Sequence, residues 1–105
     1  MQSEVLKGHV DLLLLAAFES GPAHGYAIVN AVRSRSEGAF DLAEGTVYPA
    51  LYRLERRGLL ESGWADDDGA RKRRVYRLTR KGRTELARQR KTWGSYVRAM
   101  QTALA

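Results

Sequence analysis

Cysteine is absent from the 105 residues, so there is no disulfide framework, no thiol nucleophile and no Cys-based zinc or iron–sulfur site. Histidine occurs twice, at His9 and His24, and neither joins a recognisable metal or acid–base array. The serines lack a nucleophile motif, and no glycine-rich segment matches a nucleotide loop. These absences argue against an enzyme, a metal centre and a cofactor. Long apolar runs are missing too. The longest, Leu12 to Phe18, has seven residues, far below the roughly 20 needed to span a bilayer, and the N-terminus has no basic region followed by an apolar stretch and cleavage site. A cytoplasmic protein without membrane contact is expected.

Basic residues are scarce in the first part of the chain and abundant in the second. Residues 1–43 hold three Lys/Arg against five Asp/Glu, whereas residues 44–105 hold fifteen against seven. The net charge of +6 is therefore one-sided, which favours a polyanionic partner. A chain this short makes one domain and buries a modest fraction of its surface, so leftover apolar faces favour oligomerisation.

Periodicity predicts a first helix over 4–18, dense in Leu and Ala and apolar on more than one side. Gly21-Pro22 ends it, and the "AHG" that follows is read as turn. Tyr26, Val29 and Val32, with Ile28, define a second helix over 25–35, and His24 at its entrance is read as a cap or packing residue. A third helix covers most of 44–57 and stops at Gly58. The period then changes: "LLESGW" (59–64) and "RVYRL" (74–78) can pair across a polar tip, with Leu60 and Trp64 sharing one face of the first strand and Tyr76 and Leu78 one face of the second. Thr79 is a suitable N-cap for a long helix running towards Leu104. Helix, helix, helix, hairpin is the order of a winged helix-turn-helix, mainly α with a small β-hairpin. Residues 1–78 form its DNA-binding domain and 79–105 a C-terminal dimerisation helix.

In "EGTVYPALYRLERRGLL" (44–60), Val47, Ala50, Leu51 and Leu54 share an apolar sector of the third helix. Thr46, Pro49, Tyr52, Arg53 and Arg56 lie opposite, with Arg57 at the edge. Tyr48 flanks them and is read as either packing or contact. If Thr46 caps the helix, Pro49 sits where no helical bond is lost; if the helix begins near Glu44, one internal bond is deleted and the first turn tightens or bends. Either way the proline marks the end that enters a DNA groove in a helix-turn-helix. Thr46, Tyr48, Tyr52 and Arg53 are the expected recognition face, with Arg56 or Arg57 on phosphates. At the hairpin tip, Asp66, Asp67 and Asp68 lack the spacing of a calcium loop, and Arg71, Lys72, Arg73 and Arg74 are expected to meet DNA.

In the terminal helix, Leu86, Trp93, Val97, Met100 and Leu104 approximate a heptad seam, interrupted by Arg90 and weakened by Gly94. Packing against a partner's first helix would form a symmetric dimer and place two recognition helices on a palindromic operator.

The sequence resembles the PadR-like family of bacterial transcriptional regulators, in particular its short members with one C-terminal helix. The resemblance rests on "LKG" (6–8), "LLLLAAFESGPAHGYAI" (12–28), "EGTVYPALYRLERRGLL", the Trp64 that ends the first wing strand, and "RRVYRLTRKG" (73–82). It implies a winged-helix, DNA-binding homodimer, with repression as the expected action. Lys7, in the family's basic-Gly position, becomes a phosphate-contact candidate. A Trp at the position of Trp93 lies beside flat aromatic ligands at the dimer centre in some members. Trp93, with Val97, Met100, Leu13 and Leu14, is thus read either as an effector pocket for a small aromatic compound or as an interface anchor. Two positions depart from the family pattern, Ala27 for Glu and Ala43 for Ser. The competing reading is a winged-helix interaction or small-molecule-sensing module that does not bind DNA.

Overall fold

The computed structural model describes Leu6, residues 8–67 and residues 71–105; the side chains at 66, 67, 71 and 72 fall outside that description. Among the described residues, four α-helices and three strands follow one another as α1 (Val10–Ala17), a 3-10 turn (Phe18–Ser20), β1 (Ala23–His24), α2 (Gly25–Arg35), α3 (Glu44–Arg56), β2 (Leu60–Asp67), β3 (Arg71–Leu78) and α4 (Arg80–Leu104). Their order is that of the expected winged helix-turn-helix with a long final helix.

Among the described residues the predicted first helix is interrupted, Leu6 being helical and Gly8 and His9 forming a turn. Gly8 takes a φ of 151°, a conformation that only glycine adopts readily, and the regular helix starts at Val10. The turn after it also holds a surprise. Ala23 and His24 pair antiparallel with Tyr76 and Val75, so the expected hairpin is a three-stranded sheet in the order β1-β3-β2. Two residues carry too little alternation to be recognised as a strand. β2 and β3 also run further into the tip than predicted, pairing from Leu60↔Leu78 to Asp67↔Arg71.

One core joins these elements. Leu14, Leu15 and Phe18 meet Ile28, Val29 and Val32 of α2, the predicted Val47–Ala50–Leu51–Leu54 face of α3, and Leu59, Leu60, Tyr76 and Leu78 of the wing. α4 joins through its first turns. The Thr79 hydroxyl accepts from Gly82 N–H at 2.9 Å and donates to the Gly58 carbonyl at 2.6 Å. Leu86, expected on the dimer seam, is instead 2% exposed inside this core, so its role here is to hold α4 to the domain. Arg90, the apparent break in the seam, forks onto Glu19 at 2.7 and 3.1 Å and fixes the second third of α4. Beyond it the helix leaves the body: Trp93, Tyr96, Met100 and Leu104 are all exposed. No helix among the described residues is long and apolar enough to cross a membrane.

Candidate nucleic-acid interface

α3 has an extended N-cap residue, Ala43, whose side chain makes no capping bond, because alanine has no oxygen to offer. The helix thus begins at Glu44, and Thr46 is in its first turn, not its cap. Backbone bonds from Thr46 and Val47 to the Ala43 carbonyl close that turn. Pro49 lies within the helix, so one donor is missing where Gly45's carbonyl would be served. The helix absorbs this because both residues are exposed and water can replace the bond.

Burial of Val47, Ala50, Leu51 and Leu54 fixes which side of α3 faces out. Gly45, Pro49, Tyr52 and Arg56 recur at four, three and four residues along the opposite crest. Gly45 and Pro49 keep the N-terminal end of this stripe low, while Tyr52 and Arg56 stand up at the other. The Arg56 guanidinium lies 5.7 Å from the Tyr52 ring centroid, and among the described residues it has no carboxylate partner.

The two flanks differ. On one, Asp11 of α1 draws Arg53 to 3.4 Å and Arg57 to 3.8 Å, while Arg57 also approaches Glu85 of α4 at 3.9 Å. Arg53 and Arg57 thus project sideways from the crest. Such partly exposed pairs orient side chains more than they stabilise the fold. On the other flank Tyr48, 43% exposed, lies over Gly25: a Cβ there would come within 2.5 Å of the Tyr48 ring. Tyr48 is therefore packed along one edge and open along the other. An open recess beside it is lined by His24, Tyr26, Arg73, Arg74 and Tyr76. His24 Nδ1 accepts from Ala27 N–H at 3.3 Å, capping α2, and its Nε2 lies 3.0 Å from Arg73. Arg74 is held by Glu55 at 3.6 Å. Lys7, Asp68 and the side chains of Asp66, Asp67, Arg71 and Lys72, all named from the sequence, lie outside the described residues.

Glu85 anchors the α4 flank. Arg88 at 2.6 and 2.9 Å and Gln89 at 2.6 Å donate to its carboxylate and lower its pKa from 4.5 to about 2. A depressed carboxyl pKa gives stability that is complete above the unfolded value and lost as pH falls through the folded one. The stability advantage of the parent over Glu85→Gln is therefore expected to be constant at neutral pH and to shrink between about pH 4.5 and about pH 2. Paired denaturant titrations across that range measure it; a difference independent of pH would show that Glu85 acts without its charge.

At the far end, Trp93 meets His9 edge-on at 4.8 Å and stacks with Tyr96 at 5.8 Å. The heptad spacing points to neither neighbour, since His9 comes from the turn ahead of α1 and Tyr96 lies off the seam. Leu14 is fully enclosed in the core and is removed from the set around Trp93. Leu13 lines a shallow groove with Ala16, Val32 and Phe40.

Comparisons with known proteins agree with this geometry. The profile of the transcriptional regulator PadR-like family matches residues 13–88. A transcriptional regulator from Clostridium thermocellum superposes with a TM-score of 0.87 at 25% identity, covering 97% of this chain and 96% of that one. A PadR family transcriptional regulator from Eggerthella lenta gives 0.82 at 32% identity, over 96% and 86% respectively. A transcriptional regulator of Mycobacterium tuberculosis is 46% identical over 56 residues, 53% of this chain and 51% of the relative.

Proposed function

We propose that this chain, which belongs to the PadR-like family of transcriptional regulators, is a sequence-specific DNA-binding repressor that acts as a homodimer and responds to a small aromatic effector. It is a regulator and not an enzyme. The observation that carries the DNA reading is the crest of α3. Four exposed positions on one stripe run from a flat Gly45–Pro49 end to the Tyr52–Arg56 pair, with Arg53 and Arg57 on one side and Tyr48, Arg73 and Arg74 on the other. A helix of this shape fits a major groove, where hydroxyl and guanidinium groups reach base edges and phosphates.

The exposed C-terminal half of α4 supports the dimer. Trp93, Tyr96, Met100 and Leu104 remain 41–76% exposed, an apolar seam that a second copy would cover. Val97 lies half-buried in the same stretch. The aromatic stack at Trp93 supports a flat ligand at that seam.

The test is binding of duplexes from the region upstream of the chain's own gene, with the protein's mass measured in the same buffer. Phosphate contacts make log affinity fall with log salt by about 0.9 per contact, so a palindromic fragment should bind a dimer with a steep slope. A dimer that binds none of these duplexes, or binds with no salt dependence, would support the interaction-module reading instead.

A further inference from the structure

We propose that Trp64 and Arg74 form a contact for the sugar–phosphate backbone of a DNA strand lying between the wing and α3. This rests on the DNA reading above and adds a site to it.

The wing's inner face passes from core to solvent in three cross-strand steps. Leu60 pairs with Leu78, Ser62 with Tyr76 and Trp64 with Arg74, and side chains two apart share a face. Leu60 and Leu78 are 1% and 6% exposed. At the middle step, Tyr76 is still buried, and the Ser62 hydroxyl donates to Glu55 of α3 at 2.5 Å. At the third step no helix remains to cover the sheet, and Trp64 is 65% exposed. The wing's core face thus ends in an uncovered indole beside the recognition helix.

That indole is not loose. The Arg74 guanidinium lies 5.4 Å from its ring centroid and 3.6 Å from the Glu55 carboxylate, so α3 and β3 together hold the pair. Glu55 is already occupied by Ser62 and Arg74. Elsewhere on the same elements, Arg56 stands exposed on the crest of α3 against Tyr52 and Arg73 on β3 lies 3.0 Å from His24. An acidic protein surface would meet the charge but has no need of an open ring. A DNA strand matches both, because deoxyribose offers an apolar C–H face to the indole and the adjoining phosphate a charge to Arg74. Such a contact positions the protein without reading bases.

Three measurements test this. Trp64→Ala is expected to weaken binding to the operator and to a scrambled duplex by the same factor, about tenfold. It should leave the salt slope unchanged, since no charge is removed, and Trp64→Phe should recover part of the loss. Arg74→Ala should lower the slope by about 0.9 per wing. Finally, the change in indole emission when the parent is saturated with duplex should be largely missing in Trp64→Phe. Parent-like affinity of Trp64→Ala for both duplexes, with the emission change retained in Trp64→Phe, would overturn the contact while leaving DNA binding by α3 in place. Loss of operator binding alone would overturn the backbone assignment in favour of base reading. A parent protein that binds no duplex would overturn the DNA reading itself, and this contact with it.

Discussion

Replacing Tyr52 and Arg56 together by alanine is expected to lower affinity for the operator by about a hundredfold or more, each base-edge or groove contact being worth roughly 1–3 kcal/mol. Folding should be untouched. Both side chains are exposed, and Arg56 touches Tyr52 rather than the core, so surface truncation costs stability little. Arg53 and Arg57 provide the contrast. They lean towards Asp11 and Glu85 on the flank, and their loss should weaken specific and scrambled duplexes together. The double alanine variant should instead narrow the gap between the two. A mobility-shift titration with both duplexes, beside thermal melts, reads this out; a folded double variant with undiminished preference for the operator would remove the crest from the recognition surface.

That prediction moves weight from Arg53 to Arg56, and the reason shows what the sequence makes legible. Helical period alone separates the buried side of α3 from its exposed side, and the four core positions agree with it. Which exposed arginine points outward depends on Asp11, a residue 42 positions earlier than Arg53, and no local pattern encodes such a pairing. Trp64 is a similar case. Alternation correctly puts it on the face of Leu60, but whether that face is covered depends on how far α3 extends along the sheet. Leu86 and Leu14 fail in the opposite direction, being apolar residues suited to a seam that the domain's own core had already taken. The cap positions were the most readable. His24 and Thr79 act on the backbone three residues ahead, where chemistry and spacing are both local. Ala43 shows the converse, since a cap residue without a side-chain oxygen leaves the first turn of α3 held by backbone bonds alone.

The second large effect is expected at Gly82. In an isolated helix Gly→Ala stabilises by about 1 kcal/mol, and at Gly94 of the same helix that gain should be realised, because the nearest obstacle is the flexible tip of Arg98 at 3.4 Å. Gly82 should behave oppositely. It lies in the first turn of α4, and a Cβ there would fall well inside contact distance of the Leu59 carbonyl, with a Leu78 methyl at 3.1 Å. The Leu59 carbonyl also accepts from Thr79 N–H at 3.2 Å, so it cannot retreat without loosening the capped start of the helix. Either α4 shifts and withdraws Leu86 from the core, or the chain bends at Leu59, just ahead of β2. Overpacking of this kind costs typically 1–3 kcal/mol, which for a domain near this size lowers the melting temperature by about 4–8 °C per kcal/mol. Gly82→Ala should therefore melt roughly 10 °C below the parent, and Gly94→Ala at or slightly above it. Because α4 also carries the exposed Trp93 stretch, displacement at its base should weaken the proposed self-association more than it weakens the three-helix core. Sedimentation at concentrations where the variant is still folded separates the two effects, and a Gly82→Ala protein as stable as the parent would show that α4 is not seated against β2 through this glycine.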